Sequence, residues 1–170
     1  KVVINDENKR KVFPGTEAYF ISRGEGITDP DRMVGVLFDN DFLNHYCLRY
    51  LPDVPYLEDG EFIARILCLA ERCIVDDENF YFRTIRSGSA TNSSLFNSKD
   101  AINGFIKAAV NLRDFRDIMV LNPDQKEFMN QPVVKFVILS ISSTVRSTNI
   151  RMFFYVYSIL KANNFEDLDL

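Results

Sequence analysis

The sequence predicts a mixed α and β fold, contained in one domain or in part of one. Three observations support this prediction. The chain has 170 residues and 46% of them are hydrophobic, which suffices for a packed core. Apolar residues form short strand-like runs in the first half and follow helical spacing in the second half. Glycine, proline and asparagine separate these runs and predict turns between them.

Turn-forming residues divide the first half into short elements. The polar residues 5–8 predict a hairpin turn, and Gly24 can take the left-handed conformation that ends a helix. Asp39 or Asn40 has a side chain that can cap a helix start. The elements predicted here are strands at 2–4, 11–13 and 33–38, a helix at 16–23, and a helix from Asp39 or Asn40 to about Cys47.

The most regular helical pattern lies in the middle of the chain. Apolar residues over 62–74 form a wide stripe, with Arg65 and Arg72 predicted to face solvent. The aromatic run 80–86 predicts a strand, and residues 87–97 are rich in serine, glycine and asparagine, which predicts a loop. This region therefore reads as helix, strand and loop.

Helices are predicted for the rest of the chain. Two of its segments, 133–141 and 152–160, are strongly apolar, but neither is long enough to span a bilayer. Buried packing is favoured for both over docking on a membrane surface. The helices are expected at 100–113, from Asn122-Pro123, from Pro132, and from about Ile150 to Ala162.

Charge and cysteine content exclude several classes of function. The formal net charge of −4 and the pI near 5.1 argue against nonspecific binding of nucleic acid. The three cysteines and the single His45 lack metal-ligand spacing, so reduced thiols are expected rather than a zinc site or disulfides. The first residues are not a secretory signal, which predicts a cytoplasmic protein. Lys1 begins directly in a strand-like run without an initiating Met, so the chain is expected to be a fragment.

One pair of acidic residues and one basic loop carry the chemistry of this sequence. Glu58 and Asp59 stand where the central helix begins, and a carboxylate there can act as a base. Arg83, Arg86 and Ser89 follow at the end of the predicted strand, where they can hold phosphate or sugar oxygens. Two structural alternatives stay open: the acids satisfy the helix start, and the arginines are solvated surface residues.

Residues 16–92 resemble the C-terminal half of family 2 glycosyltransferases, which have the GT-A fold. The resemblance rests on the order of five segments: the apolar run ending in Asp-Phe-Leu at 36–43, the apolar-Pro segment 48–52, the Glu-Asp pair 58–59, the amphipathic helix 63–73, and the Tyr-x-Arg-x-x-Arg-x-x-Ser strand end 81–89. It implies a partial GT-A-like mixed sheet with flanking helices. Residues 1–95 would be the acceptor-side part of the catalytic domain, and residues 96–170 a helical region packed on it.

The resemblance also implies an activity and its residues. The parent enzyme would transfer a sugar, with inversion, from a nucleotide-sugar donor to a glycan or lipid-linked acceptor. Asp59 matches the catalytic base, while Glu58, Arg83, Arg86 and Ser89 match acceptor-binding or donor-binding positions. When the segments are aligned on Ser89, Arg83 is offset by one residue, which reverses its face in a strand.

A divalent metal, Mg or Mn, is expected for the parent enzyme, but no site for it is predicted in this chain. The family binds that metal through an upstream Asp-x-Asp, and the three such triplets here fit a turn, a helix cap and the terminal tail instead: Asp29-Pro30-Asp31, Asp39-Asn40-Asp41 and Asp167-Leu168-Asp169. The isolated chain is therefore expected to be inactive.

The competing hypothesis is a noncatalytic protein-interaction or dimerisation module. Aromatic residues over 153–157 would supply its partner surface. Peripheral contact with the inner face of a membrane and formation of a homodimer both stay open. No nucleic acid partner is expected.

Overall fold

The structure of this protein is a computed structural model, and most of its described residues lie in helices. The described residues are 5–23, 35–78, 94–146 and 150–165. Among them, no helix is both long and apolar enough to cross a bilayer. In chain order the elements are β1 (Val12–Phe13), α1 (Gly15–Arg23), α2 (Asn40–His45), α3 (Glu58–Leu69), β2 (Cys73–Ile74), the 3-10 turn Ser94–Asn97, α4 (Lys99–Ile118), α5 (Pro123–Arg146) and α6 (Ile150–Ala162).

Local side-chain caps start three of the helices. Asp39 Oδ1 accepts hydrogen bonds from the backbone N–H groups of Asp41 and Phe42, which confirms the predicted start of α2. Ser98 Oγ accepts from the third residue after it at the start of α4. At α5, Asn122 and Gln125 each accept from the backbone N–H of the other, at 2.8 and 2.9 Å.

The main core lies where α4 and α5 pack on each other, with α3 and α6 against this pair. Phe105 and Phe136 are among its fully buried side chains, and their ring centroids are 6.3 Å apart. Tyr19 of α1 and Ala64 of α3 belong to the same cluster. A second, smaller cluster joins α3 to the α2 region through Leu48 and Phe62. Helix α3 is thus buried between two clusters, because both of its sides are apolar.

The predicted break at Pro132 is wrong, since α5 runs through this residue. A proline inside a helix removes one hydrogen bond and costs roughly 3 kcal/mol. Met129, Val133 and Phe136 lie around the proline and are all buried in the main core. Packing of that continuous face offsets the local cost.

The GT-A-like mixed sheet expected from the resemblance is not present in the described residues. They contain one two-stranded antiparallel sheet, in which Val12 pairs with Ile74 and Phe13 with Cys73. Helix packing forms the core instead, because two strands of two residues cannot cover an apolar layer. The coarse prediction of mixed α and β elements is confirmed.

Two local predictions, a strand at 33–38 and a helical stripe that continues to residue 74, differ from the structure. Residues 36–38 form no strand, and Leu37 is largely exposed rather than buried. The central helix ends at Leu69, earlier than the predicted stripe, and Cys73–Ile74 is a strand. The strands predicted at 2–4 and 80–86 lie outside the described residues.

A substitution at Gly15 tests the close contact between the start of α1 and the backbone of α3. A Cβ atom on Gly15 would lie 2.2 Å from the backbone oxygen of Leu67, and the Gly15 N–H donates to the carbonyl of Ala70 at 2.7 Å. We expect Gly15→Ala to lower the free energy of unfolding by about 1–3 kcal/mol, because rigid backbone must move. Urea denaturation measures this change. Gly35→Ala is the matched control, since its Cβ would meet nothing within 4 Å; equal stability losses in the two variants would contradict the contact.

Candidate functional site at the start of helix α3

Three acidic residues lie in the first turn of α3: Glu58, Asp59 and Glu61. Leu57, immediately before them, has a left-handed backbone (φ 57°, ψ 26°) and gives no side-chain cap. Glu58 is exposed and Asp59 is half-buried. Asp59 Oδ1 accepts a hydrogen bond from the N–H of Gly60 at 3.0 Å. The helix start therefore presents a carboxylate that is neither sealed inside nor fully solvated.

Tyr50 lies beside these carboxylates. Its ring stacks on the buried ring of Phe62, with centroids 4.4 Å apart and planes 22° from parallel, while 43% of Tyr50 stays exposed. Burial raises the pKa of Tyr50, and the negative charges of Asp59 and Glu58 raise it further. The phenol thus stays protonated at neutral pH and can donate a hydrogen bond.

Sequence reasoning missed Tyr50. No periodic pattern marks it, since it lies in an irregular segment between α2 and α3. The only signal was its place just before Leu51-Pro52, inside the segment that carries the resemblance. The position of Tyr50 near the start of α3 depends on the packing of its segment against that helix.

Glu61, in the same first turn, forms a buried ion pair with Arg65, which lies one turn later in α3. Glu61 is 0% exposed and Arg65 is 8% exposed. Arg65 donates from Nε and Nη2 to the two carboxylate oxygens of Glu61, at 2.6 and 2.8 Å. The prediction that Arg65 faces solvent is wrong, because its charge is neutralised by a partner four residues earlier on the same helix. The Glu-x-x-x-Arg spacing was the signal available in the sequence.

This pair joins α3 to two other parts of the fold. Asn111 of α4 donates from Nδ2 to Glu61 Oε1 at 2.7 Å. Arg65 Nη2 also donates to the backbone carbonyl of Arg49 at 2.7 Å. Since Arg49 directly precedes Tyr50, the network positions Tyr50 relative to the first turn of α3.

Three predicted site residues cannot be placed against this cluster. Arg83, Arg86 and Ser89 lie outside the described residues. Their roles stay predictions. The structure brings together Glu58, Asp59 and Tyr50, of which the sequence predicted the two acids.

A groove of about 690 Å³ lies elsewhere, at the opposite end of α3. Leu69, Glu71, Val120 and Gln125 are among its lining residues, and Asp59 is not. Asp59 and Leu69 are separated by about 15 Å along the helix, at roughly 1.5 Å per residue. The groove is therefore separate from the acidic site.

The thiol at the groove is a packing group. Burial raises the pKa of the Cys68 thiol to about 12. The backbone carbonyl of Cys68 accepts a hydrogen bond from Gln125 Nε2 at 2.7 Å. A thiol that stays protonated is a poor nucleophile. Cys68 therefore contributes to the contact between α3 and α5.

The described residues do not fit a metal site. Within 5–23, 35–78, 94–146 and 150–165, no three histidine, cysteine, aspartate or glutamate side chains are grouped so that they could hold a metal ion. His45 is exposed and packs edge-on against Tyr46, with ring centroids 4.7 Å apart. The metal implied for the parent enzyme has no ligand set among these residues.

The chemistry available at the start of α3 is proton acceptance and hydrogen bonding. Asp59 can accept a proton, Tyr50 can donate a hydrogen bond, and Glu58 can bind a hydroxyl group. A negative charge is also stabilised at a helix N-terminus.

No protein-family model matches this chain, and no curated protein or solved structure is significantly similar to it.

Proposed function

We propose that this chain is the acceptor-side part of a family 2-like glycosyltransferase. The parent enzyme transfers a sugar from a nucleotide-sugar donor to a glycan or lipid-linked acceptor, with inversion at the anomeric carbon. The observation that carries the proposal is the position of Asp59, half-buried in the first turn of α3 and one turn before Phe62, on which Tyr50 stacks. The order of motifs over 16–92 supports the same assignment.

In the proposed reaction, Asp59 is the base. The acceptor hydroxyl oxygen bonds to the anomeric carbon as the bond from that carbon to the donor diphosphate breaks. The hydroxyl proton passes to Asp59, and the nucleoside diphosphate leaves with the electron pair of the broken bond. A single carboxylate suffices for this step, and the helix N-terminus stabilises its charged form.

Neighbouring residues orient the acceptor in this proposal. Glu58 is exposed and binds acceptor hydroxyl groups, while the Tyr50 phenol donates a hydrogen bond to an acceptor oxygen. Arg86 and Ser89 contact donor phosphates or acceptor oxygens, and Arg83 is assigned to the same loop. As the resemblance implies, the donor nucleotide and its metal are assigned to another part of the parent.

The test is a transfer assay on the parent enzyme that this proposal implies, with a panel of UDP-sugars and GDP-sugars. Released UDP or GDP is measured. Asp59→Asn should lower turnover on the order of a hundredfold or more, because the proton acceptor is lost. Folding should be retained, since Asp59 is half-buried and the asparagine oxygen can still accept from Gly60 N–H.

Asp53→Asn is the matched control. Asp53 is an exposed aspartate outside α3 whose carboxylate pairs with Lys107 at 3.0 Å. Its turnover should equal that of the unmodified enzyme. Full turnover by Asp59→Asn, or sugar transfer by the 170-residue chain alone, would contradict the proposed assignment.

A noncatalytic interaction module is the second candidate. One observation favours it: Phe153, Phe154 and Tyr157 are exposed on α6. Under that hypothesis the protein would transfer no sugar from any donor in the panel. The two candidates therefore give opposite results in the same assay.

A further inference from the structure

Helix α6 has two apolar faces. Val156 and Leu160 are buried in the main core. Four other large apolar residues of α6 are between 37% and 66% exposed. They follow the spacing i, i+3, i+4, i+7 and so form one stripe along the helix. This α6 stripe consists of Ile150, Phe153, Phe154 and Tyr157.

The α6 stripe lies in a basic stretch of an acidic protein. Residues 131–165 contain four basic side chains and no acidic one, whereas the whole chain has 20 Lys and Arg against 24 Asp and Glu. Acidic residues return only at Glu166, after the helix. Arg151 and Lys161, near the two ends of α6, are both exposed. The basic residues of the stretch are Lys135, Arg146, Arg151 and Lys161.

Charge decides between the two simplest occupants of the stripe. If a second copy of the chain packed on the stripe about a two-fold axis, the same basic stretches would face each other and repel. An anionic lipid surface has the opposite charge, and each basic residue near it strengthens binding about fivefold. Exposed aromatic and aliphatic side chains also fit the boundary between headgroups and acyl chains, with the Tyr157 hydroxyl at headgroup depth.

We propose that α6 docks this protein on the surface of an anionic bilayer. The helix lies in the membrane plane, the α6 stripe enters the headgroup boundary, and Arg151 and Lys161 contact lipid phosphates or carboxylates. Val156 and Leu160 of the same helix stay packed in the protein core. This docking does not depend on the sugar transfer proposed above.

The test is cosedimentation of the 170-residue chain with vesicles. Binding is expected to phosphatidylcholine vesicles that contain phosphatidylserine, and it should weaken as salt is added. Phe154→Glu should lower the apparent affinity at least tenfold, and Arg151→Gln about fivefold. Gel filtration of the same samples reports the oligomeric state.

Two exposed residues outside α6 provide matched controls. Val120→Glu places the same charge at a fully exposed apolar residue, and Arg72→Gln removes the same charge from an exposed arginine. Both should bind vesicles like the unmodified chain. Circular dichroism should be unchanged in all four variants, because each substituted side chain is exposed.

Three results would overturn the docking proposal. The first is equal binding to pure phosphatidylcholine vesicles, or no binding to the anionic ones. The second is unchanged binding by Phe154→Glu. The third is a stable dimer that Phe154→Glu dissociates, which would assign the α6 stripe to a second copy.

Discussion

Replacing Glu61 with alanine is expected to lower the free energy of unfolding by about 3–5 kcal/mol. The substitution leaves the guanidinium of Arg65 in a site where only 8% of the residue is exposed, without the carboxylate that accepts from its Nε and Nη2. It also removes the acceptor of Asn111 Nδ2 on α4. A buried charge without its partner is among the most destabilising changes that one substitution can make. Urea denaturation followed by circular dichroism measures the loss.

Two variants distinguish the loss of the ion pair from a general effect of mutation in α3. Glu58→Ala removes an exposed acid from the same helix turn and should change stability by no more than about 0.5 kcal/mol. The double variant Glu61→Leu with Arg65→Met removes both charges and should recover most of the loss, because no unpaired charge remains. A cost below about 1 kcal/mol for Glu61→Ala would show that the pair is not buried as described.

Phe136→Ala should be nearly as damaging, with an expected loss of about 3–5 kcal/mol. Phe136 is fully buried in the core between α4 and α5, in the same cluster as Phe105. Truncation removes apolar surface that is buried on folding, and it leaves a cavity that close-packed helices fill only in part. The shift of the urea midpoint gives the loss of unfolding free energy, provided that the slope of this free energy against urea concentration is unchanged.

Phe154→Ala is the matched control for that experiment. It makes the same truncation on α6, where the phenylalanine is 61% exposed. Its stability should stay within about 0.5 kcal/mol of the unmodified chain. Equal losses at the two phenylalanines would contradict the packing of α5 against α4 and the exposure of the α6 stripe.

Some of the fold could be predicted from the sequence because it depends on local hydrogen bonds. The starts of α2 and α5 were predicted from Asp39 and from Asn122-Pro123, whose caps involve atoms within three residues. The start of α3 has no side-chain cap, but it too was predicted from neighbouring residues, namely acidic residues followed by an apolar stripe. Such features need no information about the rest of the chain.

The errors arose where distant parts of the chain decide the outcome. Pro132 suggested a new helix, but the buried neighbours of this proline hold α5 together. The apolar residues at 33–38 suggested a buried strand, although Leu37 is largely exposed. Val12–Phe13 found its strand partner in Cys73–Ile74, about sixty residues later. Pairing and burial at such separations leave no periodic signal in a short window.

The acidic site divides in the same way between sequence and tertiary structure. The sequence alone determined that Glu58 and Asp59 stand at a helix start, since the acidic pair and the apolar stripe are adjacent in the chain. Only the tertiary structure decided that Tyr50 lies beside them and that Glu61 and Arg65 are buried. The physical reason is that these arrangements depend on Phe62, Asn111 and the carbonyl of Arg49, which packing brings together from three separate segments.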